Sequence, residues 1–179
     1  MTPIVEQIAD VLREQGYQGA SLSRLANATG LKRASLYHRF PGGKEEMAAT
    51  ALHEVGQFLT DEVLASLYTD LPVATRLAQY VDGLSLFYQD GWRSCLLDVL
   101  SLGEGTLPFR AKIDELITGW IAAMAHVSRD SGFNEATAQQ RAEEAVMLIE
   151  GALVVSRGRS DAAPFQRMLA RLPGLLLKA

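Results

Sequence analysis

The chain has 179 residues, 48% hydrophobic and 21% charged, with a net charge of −4. That length allows a substantial core, and the composition excludes a disordered or collagen-like chain. Its one cysteine, Cys95, excludes an intramolecular disulfide framework and fits a reducing compartment. No apolar run reaches membrane-span length, and Met1-Thr2-Pro3-Ile4-Val5-Glu6 lacks a basic stretch leading into an apolar one, so a cytoplasmic protein without a signal peptide is expected.

Helical spacing of apolar residues dominates the chain, and strand-like alternation is absent. Ile4, Ile8, Val11 and Leu12 make one face of a first helix that stops at Gly16. Ser21 is a favourable N-cap for a second helix whose inward residues are Leu22, Leu25 and Ala26. Thr29-Gly30-Leu31 is a tight turn, with Gly30 supplying the backbone freedom. A third helix spans 32–40, turns Leu36 and Phe40 inward, and breaks at Pro41-Gly42-Gly43. The fourth carries Met47, Ala51, Val55, Phe58, Leu59 and Val63 on one side. Pro72 opens a fifth, which Asp90-Gly91 ends, and a short sixth runs from Ser94 to Leu100. Gly103-Glu104-Gly105 reads as a loop, and Pro108 sits where a first-turn proline is favoured for a long seventh helix closed by Gly132. Asn134 caps an eighth; a ninth begins near Pro164 and ends or bends at Pro173-Gly174. The expected fold class is all-α, with nine helices.

Charge is distributed unevenly along these helices. Between Gly19 and Lys44 there are five basic residues (Arg24, Lys32, Arg33, Arg39 and Lys44) and no acid, which leaves −9 for the remainder. A +5 island in an acidic protein marks a local footprint for a polyanion. Because the island coincides with two short helices about a turn, it reads as a helix-turn-helix. In that motif the second helix enters the major groove and its N-terminal residues reach base edges. Lys32, Arg33, Ala34 and Ser35 hold those positions. Arg33 has the donors for guanine O6 and N7, and Ser35 suits a base or a phosphate. Lys44 opens the fourth helix, where its charge adds to orphan N–H groups as a phosphate clamp. Ser21 and Arg24 lie on the helix that crosses the DNA backbone, and Ser21 serves as a cap as well. For each basic residue alone the plain alternative is a solvated surface charge; the clustering argues against it.

The run Gly16-Tyr17-x-x-x-Ser21-Leu22-x-x-Leu25-Ala26, then Thr29-Gly30-Leu31, Ser35-Leu36-Tyr37-x-x-Phe40 and Lys44-Glu45-x-Met47, resembles the TetR family of one-component transcriptional repressors. The match covers about residues 4 to 50. Phe40-Pro41-Gly42-Gly43-Lys44, with Cys95-Leu96 opening the sixth helix, is similar to the branch typified by the LmrA and YxaF regulators. His38 stands where a second aromatic is common, and no basic minor-groove arm is expected before the first helix. The resemblance implies that Tyr37, His38 and Arg39 grip phosphate; for Tyr37 the alternative is packing against the helix pair. It also implies a homodimer on double-stranded operator DNA, with residues 1–45 reading DNA and 46–179 binding a ligand and dimerising.

The larger part of the chain holds more flat apolar side chains than a thin bundle needs. Phe58, Tyr80, Phe87, Tyr88, Trp92, Trp120, Met124 and Met147, with Glu150 as a polar group, are candidate ligand contacts for an apolar or aromatic effector. Phe109, His126 and Arg157 are weaker candidates of the same kind, and for each the plain alternative is core or helix surface. Small and large apolar residues alternate in the last two helices: Ala142, Ala145, Ile149, Leu153, Phe165, Met168, Leu169 and Leu172 are the expected dimer interface. His38, His53 and His126 are widely spaced, so no metal site and no cofactor are expected. No phosphate-binding P-loop, dinucleotide-binding glycine pattern or nucleophile signature is present, so the chain is not expected to be an enzyme. The rival reading is a DNA-binding adaptor, or a regulator sensing redox through Cys95, without a small-molecule ligand.

Overall fold

The computed structural model describes residues 1–102 and 104–178. All regular structure among them is helical: α1 (Pro3–Gly19), α2 (Leu22–Thr29), α3 (Arg33–Arg39), α4 (Gly43–Phe58), α5 (Val73–Phe87), α6 (Leu96–Leu100), α7 (Arg110–Asp130), α8 (Glu135–Arg159), α9 (Ala163–Leu169) and α10 (Leu172–Leu176). The nine expected helices are present, and the ninth is followed by the short α10, which has Pro173 in its first turn, where its missing N–H costs nothing. α4 passes into a π turn at Leu59–Val63 and a 3-10 turn at Leu64–Tyr68. Of the loop expected over Gly103-Glu104-Gly105, Gly103 lies outside the described residues, and Glu104–Phe109 forms a 3-10 turn. No described helix is long and apolar enough to cross a membrane.

The chain divides into two compact units. The first joins Met1–Phe58 to Cys95–Asp114. α1 is its hub, packing against α2, α4 and α6. Val5, Ile8, Ala9 and Leu12 of α1 are buried, as are Leu25, Leu36, Phe40, Met47, Ala51, Leu52, Leu96 and Leu100. Each fully buried leucine or isoleucine contributes about 1.5–3 kcal/mol of apolar burial. Gly30 takes φ +66 at the end of α2, a left-handed conformation that reverses the chain between α2 and α3. The Ser21 side chain accepts from the Arg24 N–H at 3.4 Å, and Thr29 Oγ1 donates back to Leu25 O at 2.7 Å, so α2 is fastened at both ends.

The second unit joins Leu59–Ser94 to Glu115–Ala179. Trp120, Tyr80, Tyr88 and Phe165 are its largest fully buried side chains. Trp120 Nε1 donates to the Tyr80 hydroxyl at 2.8 Å, which satisfies an indole N–H with no access to water. Buried Arg76 donates to Leu67 O at 2.9 Å and to Asp130 Oδ2 at 2.7 Å, tying the 3-10 turn and α5 to α7. α9 packs on α8, and the Phe165 N–H donates to Ser156 Oγ at 3.2 Å. Ser128 Oγ of α7 and Arg141 of α8 donate to Leu176 O and Leu175 O, at 2.8 and 2.6 Å, and hold α10 in place. Gln89, Asp90 and Gly91 all have positive φ, and a Cβ on Gly91 would lie 2.7 Å from Phe165 Cβ. Only glycine fits that approach.

Candidate nucleic-acid interface

The helix pair α2–α3 buries Leu25, Ala26 and Leu36, half-buries Leu22 and Ser23, and leaves its basic residues outside. Ser21, Arg24, Lys32, Arg33, Ala34, Ser35, Tyr37, His38 and Arg39 are all exposed, and Lys44 is half-buried. Lys32 is the N-cap of α3, so Arg33 is the first helical residue. Arg33 Nη2 donates to Ser23 Oγ across the turn. His38 and Arg39 lie in the last turn of α3, where positive charge favours the helix. Tyr37 is 46% exposed, and its ring edge lies 3.5 Å from where a Cβ on Gly43 would be. One edge of the ring therefore lies against Gly43 while much of the side chain stays open.

Lys44 is anchored more firmly than a solvated lysine. Its ammonium donates to the Tyr17 carbonyl at 3.0 Å and lies 4.5 Å from the centre of the Tyr17 ring. The ring in turn meets Phe109 edge-on at 5.2 Å. Burial, and secondarily the Glu45 carboxylate, push the Tyr17 phenol up. With one N–H committed, the ammonium keeps two for another acceptor. The turn before it is closed by the Gly42 N–H, which donates to Glu46 Oε2 at 2.6 Å.

Sequence reasoning did not single out Ser23, the Tyr17 carbonyl or Glu46. Glu46 lies four residues after Gly42, one more than the capping-box spacing, so that pair carries no standard sequence signal. Nothing in the residue types pairs Ser23 with Arg33, or a main-chain oxygen with Lys44.

The candidate ligand contacts divide. Tyr80, Phe87, Tyr88, Trp120 and Met124 are buried; the Phe87 and Tyr88 rings lie 4.8 Å apart, and Tyr88 lies 5.8 Å from Phe165. Burial pushes the Tyr80 phenol strongly up, the Trp120 hydrogen bond lowers it, and the Glu150 carboxylate raises it, so Tyr80 stays protonated. Trp92, Met147 and Phe58 are instead exposed, at 64%, 66% and 40%. Arg157 is also exposed. His126 stacks on Tyr68 at 4.8 Å and lies 3.5 Å from Asp130 Oδ2, while Phe109 belongs to the Tyr17 contact in the first unit. No three metal-ligating side chains converge among the described residues.

The residues expected at the dimer interface are already packed inside the single chain. Ala142, Ala145, Ile149, Leu153, Phe165, Met168, Leu169 and Leu172 are all buried within the single chain. The alanines of α8 admit α9 and α10 closely, so these positions are core. The exposed apolar face of α8 is the opposite one: Met147, Leu148, Val154 and Val155, with Gly151 between them. Beside it runs a groove of about 440 Å³ lined by Leu148, Gly151, Val155, Pro164, Arg167 and Arg171.

Two short helices crossing at a glycine turn, with an acid-free basic face, define a helix-turn-helix DNA-binding protein. Residues 4–51 match the family model for bacterial regulatory proteins of the tetR family, and residues 85–171 match that for the C-terminal domain of LmrA/YxaF-like transcriptional regulators. The chain belongs to the TetR family of transcriptional regulators. It is 25% identical over 171 residues to the HTH-type transcriptional regulator LmrA of Bacillus subtilis, covering 90% of this chain and 88% of that one. It is 24% identical over 179 residues to the regulator YxaF of the same organism, covering 98% and 94%. Its fold matches the crystal structure of a TetR transcriptional regulator from Legionella pneumophila with a TM-score of 0.82 at 18% identity, over 97% of this chain and 95% of that one. The family and these relatives are transcriptional regulators rather than enzymes.

Proposed function

We propose that the protein is a cytoplasmic, homodimeric repressor that binds palindromic operator DNA and is released by a small apolar or aromatic molecule. The observation that carries this reading is the acid-free basic face of α2 and α3, exposed from Ser21 to Arg39. Residues 1–45 read the DNA, and residues 46–179 sense the effector and dimerise. Lys32, Arg33, Ala34 and Ser35 hold the positions that reach base edges, while Ser21, Arg24, Tyr37, His38, Arg39 and Lys44 position the helix pair on phosphates. The second copy docks on the exposed face of α8, where Leu148, Gly151 and Val155 border the groove beside α9. An apolar stripe of this kind on a charged protein supports a protein contact. The buried aromatic group of Tyr80, Phe87, Tyr88, Trp120 and Met124 supports an effector of apolar character. Cys95 is only 2% exposed, which removes its thiol from oxidants and disfavours the redox alternative.

The test is selection of bound fragments from genomic DNA, followed by footprinting and an effector screen. Two protected half-sites, centred one helical turn or a multiple apart, are expected. An effector must weaken DNA binding by the factor by which operator DNA weakens effector binding. Fragments without a common sequence would refute operator recognition. A compound that quenches tryptophan emission but leaves the DNA complex intact would refute effector control by that compound.

A further inference from the structure

Arg33 has a partner that bears on how the recognition helix reads DNA. As the first residue of α3, its side chain leans toward the helix N-terminus and therefore back over the Gly30 turn. There Nη2 donates to Ser23 Oγ on α2. Resting on the reading of Arg33 as the base-reading residue, we infer that Ser23 is its positioning residue, holding the guanidinium in a fixed pose before DNA arrives.

The chemistry of the acceptor suits that role. The chain between Gly19 and Lys44 contains no carboxylate, so nothing in it neutralises the guanidinium. A carboxylate partner would hold arginine more tightly, but would cancel its charge and compete with guanine for the same N–H groups. A serine hydroxyl orients the group and leaves the charge intact. Ser23 Oγ occupies one of the five guanidinium N–H donors, and four remain for the two-pronged contact with guanine O6 and N7. The hydroxyl itself accepts in this bond and keeps its own hydrogen to donate.

The anchor is also rigid. Ser23 is half-buried on α2, whose first turn is capped by Ser21 and whose last is fastened by Thr29. Leu25 and Ala26 of α2 and Leu36 of α3 are buried where the two helices pack. A long exposed arginine otherwise samples many rotamers, and fixing it from a rigid element reduces the ordering cost when the base contact forms. Ser23 therefore contributes to base discrimination without touching a base.

The experiment uses the full chain and the preferred duplex recovered by selection from random sequence. Relative affinities for that duplex and its single-base-pair variants are measured for the wild type, Ser23→Ala, Ser23→Thr, Arg33→Ala and the double variant Ser23→Ala/Arg33→Ala. Ser23→Ala should reduce discrimination by about three- to tenfold at the one base pair where Arg33→Ala abolishes it. Its salt dependence should equal that of the wild type, because no phosphate contact is lost. Ser23→Thr should restore discrimination, and Ser23→Ala should have no further effect in the Arg33→Ala background. A loss at a different base pair would mean that Ser23 reads DNA itself; a sequence-independent loss with a shallower salt slope would make it a phosphate contact. Tighter binding by Ser23→Ala would mean that the bond stows Arg33 away from the groove. Each of these three results overturns the inference, as does unchanged discrimination. If Arg33→Ala itself shows no base-specific loss, the reading beneath the inference fails with it.

Discussion

The two compact units expose different chemistry on similarly packed helices. In the first, short helices bury leucines and alanines and present arginine, lysine, serine and tyrosine. In the second, α8 buries Ala142, Ala145, Ile149 and Leu153 on one side and exposes Met147, Leu148, Val154 and Val155 on the other. A charged working surface uses residue types that a core rejects, so it stands out from the core. An apolar working surface uses the core's own residue types. On α8 both faces mix small and large apolar residues, with Ile149 and Leu153 inside and Gly151 outside, so residue type does not tell them apart.

That contrast can be broken most forcefully at α8. Ala145→Arg places a charge in the packed interior and should cost more than about 3 kcal/mol, so that the second unit loses helicity by circular dichroism. Gly151→Arg adds its side chain where no atom lies within 4 Å of a Cβ. It should keep full helicity and give monomers by sedimentation velocity. A folded dimer carrying either substitution would overturn this assignment of the two faces.

Within the second unit, Tyr80→Phe should cost about 1–3 kcal/mol in chemical denaturation by stranding the Trp120 N–H. It should also change the alkaline limb of stability. The folded Tyr80 phenol titrates above its ordinary value of 10.0, so the unfolded chain releases its proton first. The stability this contributes is fully present below pH 10.0 and is lost as pH rises beyond it. The difference between wild type and Tyr80→Phe should therefore narrow above that pH.

The first unit should respond through DNA instead. Arg33→Ala should cost about 1–3 kcal/mol on the preferred duplex and flatten preference at one base pair, with thermal stability unchanged. Lys44→Ala should produce the smallest and least selective change: affinity falls by a similar factor on every duplex, and the salt slope drops by about one. A base-specific effect at Lys44 would contradict its assignment to phosphate.

Most of the helical layout is legible because apolar spacing and caps coincide. Ser21 and Asn134 both cap as expected, with Asn134 Oδ1 accepting from the Thr137 N–H at 2.9 Å. Gly30 turns where the motif requires it. The break between α9 and α10 comes at Ala170 and Arg171, ahead of Pro173, because proline starts a new turn more readily than it ends an old one. The candidate DNA residues are legible as a surface for the reason given above, their charge. Their fine arrangement is not, since the Ser23–Arg33 and Tyr17–Lys44 contacts join residues 10 and 27 positions apart, which only folding brings together. The buried and exposed faces of α8 are not legible either. Apolar residues lie all round that helix, so no single face stands out until α9 and α10 choose one.

The partner of the Lys44 ammonium is a peptide oxygen, and this makes the pair unequal under mutation. Replacing Tyr17 removes the ring, worth about 0.5–1 kcal/mol as a cation–π contact, but every amino acid brings the same carbonyl to that position. Replacing Lys44 by anything but arginine removes the cationic donor. Tolerance is therefore lopsided: position 17 can drift among side chains and still hold the tether, whereas position 44 has almost no freedom. In a protein built around reading DNA, the less replaceable partner is also the one that carries the charge.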